Sequence, residues 1–416
     1  MSKHVTLNNK NHEVESPKSI LEAILKEGAQ KLLQQAIENE VKEYLQMNKG
    51  LRLSNNQLMV TRNGHQPERE IQTGLGPINV KRPRVRDRRE GNRFTSAILP
   101  PYVRRTPSVE GVIPALYLKG ISTNDFTEAF ESLLGENAQG LSAANIVRLK
   151  KVWEDEYKDW QKQDLSEKRY VYVWADGIYF NIRLDKDRPC LLVLIGALED
   201  GKKELIAIHD GHRESKLSWM EVITDLKRRG LKYDPSLAVG DGALGFWSAQ
   251  EKEWSSTRQQ RCWVHKTANI LDKMPKSVQA HAKTKIHEIY LAEGKKQALK
   301  AFKTFVSLYG AKYSKACDCL MKDKDVLLTF YDLPTQHWLH IRTTNPTEST
   351  FATIRHRTRQ TKGCGSRITT LTMVFKLAKS AEKGWQRLNA YKIISKVILG
   401  TKFIDGEEAA IKENIA

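Results

Sequence analysis

The sequence predicts an α/β protein with a mostly helical region before its strand-rich middle and a long helical stretch interrupting it. Three observations carry this. Between residues 170 and 240, β-rich apolar runs separated by turn residues lead into one amphipathic segment and a further strand, a β-β-β-α-β order. Apolar residues recur at helical spacing over residues 18–46 and again over 108–160. From Lys266 to about Leu333 nearly everything reads helical.

Taken in order, Ser16-Pro17 is an N-cap followed by proline at the first helical position. Ile20, Leu21, Ile24, Leu25, Leu32, Leu33, Ile37, Val41 and Leu45 then form one stripe, so residues 18–46 are one or two amphipathic helices with a packing or dimer contact as their use. Residues 52–90 turn to short alternating runs punctuated by Gly64, Gly74, Gly76 and Pro77, a small β-element ending in an arginine-rich stretch. Helices are expected at Ser108–Lys119, Ser122–Leu134 and Ser142–Trp160, a helix-turn-helix-like unit whose last helix carries Arg148, Lys150 and Lys151. Strands follow at Tyr170–Ala175, Tyr179–Leu184, Cys190–Leu198, Glu204–Ile208 and Leu237–Gly240, with a helix at Leu217–Arg229 before the last of them. Another helix (Ala243–Trp254) and a short strand near Gln259–Val264 precede the helical stretch. Strand periodicity returns at Trp338–Ile341, residues 345–362 and 366–400 read as helices, and the polar end reads as frayed.

Composition narrows the function. The chain has 416 residues, 40% hydrophobic and 28% charged, as a folded protein does. Its longest apolar run, Cys190–Leu198, is far short of the roughly 18–20 residues that cross a bilayer. No apolar segment of signal-peptide type occurs in the first thirty residues, and five cysteines give an odd count, so a reducing cytoplasmic setting without a disulfide framework or membrane is expected. Lys and Arg number 68 against 49 Asp and Glu, a net +19 that favours a polyanionic partner. The excess is concentrated. Arg342–Phe403 holds 13 basic residues against Glu348 and Glu382, and Lys81–Arg105 holds nine, including Arg82, Arg84, Arg86, Arg88 and Arg89, against Asp87 and Glu90. Basic stretches alternating with structured segments suit a nucleic-acid surface better than a solvated tail.

Three carboxylates stand where chemistry is plausible. Asp176 sits where the first strand ends and Asp241 where a later one ends, each followed by glycine. Carboxyl ends of neighbouring strands in an α/β sheet open onto the crevice where such folds place ligands. An Asx-turn or a helix N-cap accounts for either aspartate taken alone. In Thr344-Asn345-Pro346-Thr347-Glu348, Asn345 as N-cap and Pro346 as first helical residue would make Glu348 part of a capping box. At about 100° per residue, however, Glu348, Ala352, Arg355 and Arg359 share one face, which suits a carboxylate holding metal beside a phosphate backbone. Oxygen donors of this kind suit Mg²⁺ or Mn²⁺, and two such ions about 3.5–4 Å apart serve phosphoryl transfer. Cys262 and His265 have a spacing that can share a metal, yet a zinc site needs two more ligands. Cys317 and Cys319 are poorly spaced for that, so core packing or a place beside the active site stay open as readings.

These residues carry a resemblance. Trp174-Ala175-Asp176-Gly177, Asp225-Leu226-Lys227-Arg228-Arg229-Gly230-Leu231, Gly240-Asp241-Gly242, Arg261-Cys262-Trp263-Val264-His265, Arg342-Thr343-Thr344-Asn345-Pro346-Thr347-Glu348-Ser349 and Thr361-Lys362-Gly363-Cys364-Gly365-Ser366-Arg367 together resemble the Mutator-type transposases of bacterial insertion sequences. The resemblance implies an RNase H-like catalytic core with an all-helical insertion, preceded by a mostly helical N-terminal DNA-binding region. It implies Asp176, Asp241 and Glu348 as a DDE triad holding Mg²⁺ or Mn²⁺. Cys262 and His265 match the family's C-x-x-H pair beside that site, and Arg355 its basic residue after the glutamate.

The expected organisation is N-terminal helices over 1–50, a basic β-element over 51–107 and DNA-binding helices over 108–166. The catalytic core would span 167–265 and 338–403, split by a helical insertion at 266–337, with a polar tail at 404–416. Contacts to double-stranded DNA, both terminal inverted repeats and target, are expected from Arg82, Arg84, Arg86, Arg88, Arg89, Arg148, Arg355, Arg359 and Lys362. The working form would be a homodimer or larger assembly. The rival readings are a repressor derived from a transposase and a structure-specific nuclease of the same fold.

Overall fold

The computed structural model describes residues 17–119, 121, 128, 143–179, 190–211, 213–360 and 366–409. The chain divides into two compact units, Met1–Ile146 and Val147–Ala416.

In the first unit the expected N-terminal helices are a single one, α1 (Pro17–Met47). Its apolar residues are used unevenly. Ile37 and Val41 are fully buried, and Ile37 joins Ile71, Ile78, Val80 and Leu99 in a small core, whereas Ile20, Leu21, Ile24 and Leu25 are exposed. The β-element is two nested antiparallel pairs. β1 (Val60–His65) pairs with β4 (Pro83–Asp87), and between them β2 (Arg69–Thr73) pairs with β3 (Gly76–Val80). Period-2 alternation along β4 and the residues after it puts Arg84, Arg86 and Arg88 on one exposed row. Arg89 is engaged otherwise: its guanidinium donates to the buried Asp87 carboxylate and to Tyr44 Oη at 2.9 Å. That pairing holds Asp87 well below the usual carboxylate range. Arg82 is half-buried. α2 (Pro107–Lys119) matches its expected span, while the expected helix at 122–134 falls, but for residue 128, outside the described residues.

α3 (Ala143–Gln161) leads into the second unit, which is built on a five-stranded sheet in the order β7-β6-β5-β8-β9. β5 (Tyr170–Tyr179), β6 (Cys190–Leu198) and β7 (Lys203–Gly211) form the expected antiparallel meander. The first strand is longer than its sequence suggests. Asp176 lies inside β5, opposite Val193, and the expected second strand at 179–184 is partly the end of β5 and otherwise outside the described residues. β8 (Leu237–Gly240) is parallel to β5, and β9 (Arg258–Arg261) is parallel to β8. A parallel neighbour requires a crossover, supplied by α4 (Lys216–Arg228) between β7 and β8.

Ser215 caps α4, accepting from Ser218 N, and the helix buries Trp219, Val222, Ile223 and Leu226 against Val173, Leu192, Leu194 and Ala238 of the sheet. Ile223 is completely buried there. Ile223→Ala is therefore expected to lower the unfolding free energy by about 2–5 kcal/mol, through lost burial and the cavity left behind. Denaturant titration of the full chain checks this, and a loss below about 1 kcal/mol would mean that the helix face is not packed as described.

α5 (Leu244–Glu253) joins β8 to β9. After β9 the chain is helical through α6 (Trp263–Leu271), α7 (Lys276–Tyr290), α8 (Lys295–Tyr309) and α9 (Ser314–Lys322), packed around Trp263, Phe302, Phe305, Phe330 and Tyr331. Two expectations are corrected here. The strand foreseen to Val264 stops at Arg261, because Cys262 is the N-cap of α6. Trp338–Ile341 is one helical turn and not a strand: Trp338 and Ile341, three residues apart, are both buried, and Arg342 N donates to Trp338 O at 3.1 Å.

α10 (Asn345–Gln360) and α11 (Arg367–Glu382) complete the unit, α10 against β5 and β6 and α11 against β7. The helix expected over 366–400 ends at Glu382, with short turns at Tyr391–Ile393 and Ile394–Ile398. Nor is the end wholly frayed. Phe403–Ile404 pairs with Glu407–Glu408, and Gly406, at φ 84°, exchanges backbone hydrogen bonds with Tyr331 and Thr335. A side chain at Gly406 would overlap Thr335, so both the backbone conformation and the packing favour glycine. Among the described residues no helix is long and apolar enough to cross a membrane.

Candidate active site

Strand direction assembles the site. β5, β7, β8 and β9 all run the same way, so their carboxyl ends meet at one edge of the sheet, where the chain places Asp176, Glu214, Asp241 and Cys262. Ala175 is paired with Gly240, which sets Asp176 and Asp241 at the next register position on adjacent strands. Asp176 is 7% exposed, and its Oδ1 accepts from Gly177 N at 2.9 Å. Asp241 makes the Asx-turn foreseen for it, Oδ1 accepting from Ala243 N at 2.8 Å, and its backbone carbonyl accepts from Trp247 Nε1 at 3.0 Å. The turn and the strand-end position coexist: one carboxylate oxygen fixes the loop.

Glu348 enters from the first turn of α10. The helix starts at Asn345, the expected cap, one residue before the expected first helical position Pro346, and Thr344 takes the capping role, its carbonyl accepting from Thr347 N at 2.9 Å and Glu348 N at 3.0 Å. Thr344 Oγ1 donates to Glu348 Oε1 at 3.4 Å. Thr347 Oγ1 faces Asp176 Oδ2 at 3.5 Å, so the first turn of α10 touches the β5 aspartate directly. Thr344 and Thr347 are both fully buried, which explains why two threonines occupy this turn: each hydroxyl has a partner that water cannot replace.

Cys262 and His265, on the cap and first turn of α6, join the same cluster. Cys262 Sγ accepts from Thr344 N and Oγ1, both at 3.3 Å, and His265 Nε2 lies 3.8 Å from Glu348 Oε1. Hydrogen bonding to Cys262 raises the His265 imidazole to about 9; burial opposes this, and Cys262, Asp176 and Asp241 add their fields in support. His265 therefore brings positive charge to an acidic site at neutral pH.

One carboxylate escaped the sequence reading. Glu214 lies three residues past β7, just before the Ser215 cap, and reaches over Gly177, where a side chain would overlap its carboxylate. Its Oε1 is 3.9 Å from Cys190 Sγ. Burial and the field of Asp241 push it up to about 7, and Asp176 is likewise pushed up to about 7 by burial, aided by Asp241 and Glu214 and opposed by His265. The available signal was its position: an acid beyond the carboxyl end of a third co-directional strand.

The basic residues are less gathered. Arg355 is exposed on α10 with its guanidinium 5.8 Å from the Phe351 ring centroid, and Arg148 is exposed on α3. The side chain of Arg359, and Lys362 altogether, lie outside what the structure describes.

Residues 1–388 match the family described as Transposase, Mutator family. The chain is 50% identical over 295 residues to the transposase for insertion sequence element IS6120 of Mycolicibacterium smegmatis, covering 71% of this chain and 91% of that one. It is 49% identical over 279 residues to the transposase for insertion sequence element IST2 of Acidithiobacillus ferrooxidans, covering 67% and 94%. Among solved structures, the Drosophila P element transposase strand transfer complex aligns over 71% of this chain and 86% of that chain at a TM-score of 0.29 and 11% identity, too remote to place residues. The family match over residues 1–388 and these relatives establish that the chain belongs to the Mutator family of transposases.

Proposed function

We propose that this transposase cleaves DNA at the ends of its own insertion element and joins the exposed 3′-OH to target DNA at an RNase H-like site formed by Asp176, Asp241 and Glu348. The observation that supports this is the register that sets Asp176 and Asp241 side by side on adjacent strands, with the first turn of α10, which carries Glu348, touching Asp176 through Thr347. The donors are hard oxygens, and two neighbouring acids, Asp176 and Glu214, are pushed up to about 7 by burial and then by nearby carboxylates, so the site suits a divalent cation such as Mg²⁺ or Mn²⁺. Two ions bound by the triad would activate the attacking oxygen and stabilise the leaving one.

The chain's own residues do the rest. The Gly177 amide orients Asp176, the Asx-turn orients Asp241, and Thr344 with His265 orients Glu348. His265 offsets part of the negative charge that would otherwise repel a phosphodiester. No nucleophilic side chain is needed, because each step is an in-line displacement at phosphorus by water or by a DNA hydroxyl. In the first unit the exposed row Arg84, Arg86 and Arg88 is assigned to the backbone of the element ends, and in the second unit Arg148 on α3 is assigned likewise. Arg89 serves the fold through Asp87 and not the DNA.

Incubating duplexes that carry an element end with the protein and Mg²⁺ tests the reading: cleaved and then joined products are expected. Cleavage without joining would instead identify a nuclease, and binding without cleavage a repressor. The pH dependence follows from the raised carboxyls. Below about 7, Asp176 and Glu214 hold protons that an arriving cation must displace, so Mn²⁺ affinity should rise from pH 6 to pH 8. Mn²⁺-dependent thermal shifts across that range check this, and a flat profile would contradict it.

A further inference from the structure

We propose that Cys262, His265 and Glu348, closed by Thr344, form a second cation site, selective for thiophilic divalent ions such as Zn²⁺ or Cd²⁺, whose occupation silences the transposase. The ligand atoms of the cysteine, histidine and glutamate all lie within 4.8 Å of one another. Thr344 Oγ1 is 3.3 Å from Cys262 Sγ, 3.4 Å from His265 Nδ1 and 3.4 Å from Glu348 Oε1. Donors bound at 2.0–2.3 Å around a tetrahedral ion stand about 3.3–3.7 Å from each other. The hydroxyl is thus nearly equidistant from all three residues, and drawing the donors in from separations of up to 4.8 Å would leave it, or a water, as the fourth ligand of a tetrahedral ion.

Two further features fit an ion better than a plain polar cluster. Thr344 N already points at Cys262 Sγ at 3.3 Å, the kind of outer hydrogen bond that orients a ligating sulfur. Cys262 is fully buried at the floor, while the His265 and Glu348 side chains are 34% and 31% exposed, so an ion has an open approach from one side only. A sulfur and an imidazole among the donors select against Mg²⁺ and for softer ions. On binding, the Cys262 thiol and the His265 imidazolium each give a proton to solvent, and Glu348 Oε1, already beside Thr344 and His265, joins as the third donor.

The inhibitory half of this proposal rests on the catalytic reading of Glu348; the site itself does not. Co²⁺ is the probe, since a bound thiolate gives a near-ultraviolet sulfur-to-cobalt charge-transfer band that neither Mg²⁺ binding nor folding produces. The full-length protein should show that band saturating at one equivalent, bleached by Zn²⁺ and untouched by excess Mg²⁺. Cys262→Ser should abolish it, and His265→Gln, a half-exposed position that tolerates change, should weaken Co²⁺ binding by about tenfold or more. Asp241→Asn should keep the band intact, which separates this site from the proposed catalytic ions. Zn²⁺ at one equivalent should stop joining by the wild type. Absence of the band in the wild type, or its persistence in both Cys262→Ser and His265→Gln, overturns the site. An intact band with joining unaffected by Zn²⁺ overturns the silencing.

Discussion

Asp241→Asn is expected to lower cleavage of element-end DNA by about a thousandfold or more while leaving the fold and DNA binding in place. The substitution is nearly isosteric, and an asparagine oxygen can still accept from Ala243 N, so the Asx-turn that shapes the loop survives. What disappears is the negative charge. Asp176→Asn and Glu348→Gln should behave alike for activity, with a difference in stability. Asp176 is buried among other acids, and removing its charge relieves desolvation and repulsion, so the melting temperature of Asp176→Asn should equal or exceed that of the wild type. Loss of activity with gain of stability is the pattern of a functional residue. Measuring both in the same preparations distinguishes it from a structural aspartate, whose loss would lower both.

Binding to end DNA should fall by about a thousandfold or more between 50 and 200 mM salt, as for a protein making about 6–10 phosphate contacts. The net charge of +19, concentrated in Lys81–Arg105 and Arg342–Phe403, is the basis of this expectation. Exposure now divides the residues. Arg84→Ala, Arg86→Ala or Arg88→Ala should each reduce the slope of log affinity against log salt by about 0.9, the loss of one phosphate contact. Arg89→Ala should instead destabilise the first unit, because it leaves the Asp87 carboxylate buried and without its guanidinium. Fluorescence anisotropy over a salt series reads the slope. A slope near zero, or one unchanged in all three exposed variants, would remove this row from the DNA interface.

Much of the site was legible in the sequence because strand ends and turn residues leave local marks. Asp241 between glycines after a four-residue strand, and Glu348 one turn into a proline-started helix, are read from neighbours within five positions. What was missed depends on packing. Asp176 lies inside its strand because β6 pairs with β5 as far as Tyr179, a fact about Cys190 and Leu191 that local spacing does not contain. The residues after Cys262 are helical because Thr344, eighty-two positions on, and the α7–α9 helices enclose them. Glu214 became a site residue only when β7 proved co-directional with β5 and β8. Trp338–Ile341 carried apolar alternation yet folded as a turn, since Trp338 packs edge-on against Phe330 and Tyr331. On α1 the helix was legible but not its single stripe: at 100° per residue Ile20–Leu32 and Leu33–Leu45 fall on different faces, and Ile37 and Val41 on the second are buried while Ile20, Leu21, Ile24, Leu25 and Leu32 are exposed.

The most direct test of the central claim is joining that starts beyond cleavage. A duplex ending in the element's free 3′-OH, mixed with supercoiled target DNA and Mg²⁺, bypasses hydrolysis and asks whether the three carboxylates support strand transfer itself. The wild type should give covalently joined product, and Asp176→Asn, Asp241→Asn and Glu348→Gln should give none above background while still binding the duplex. Joined product at wild-type level from any of the three would contradict the assignment of Asp176, Asp241 and Glu348 as the residues that carry the reaction.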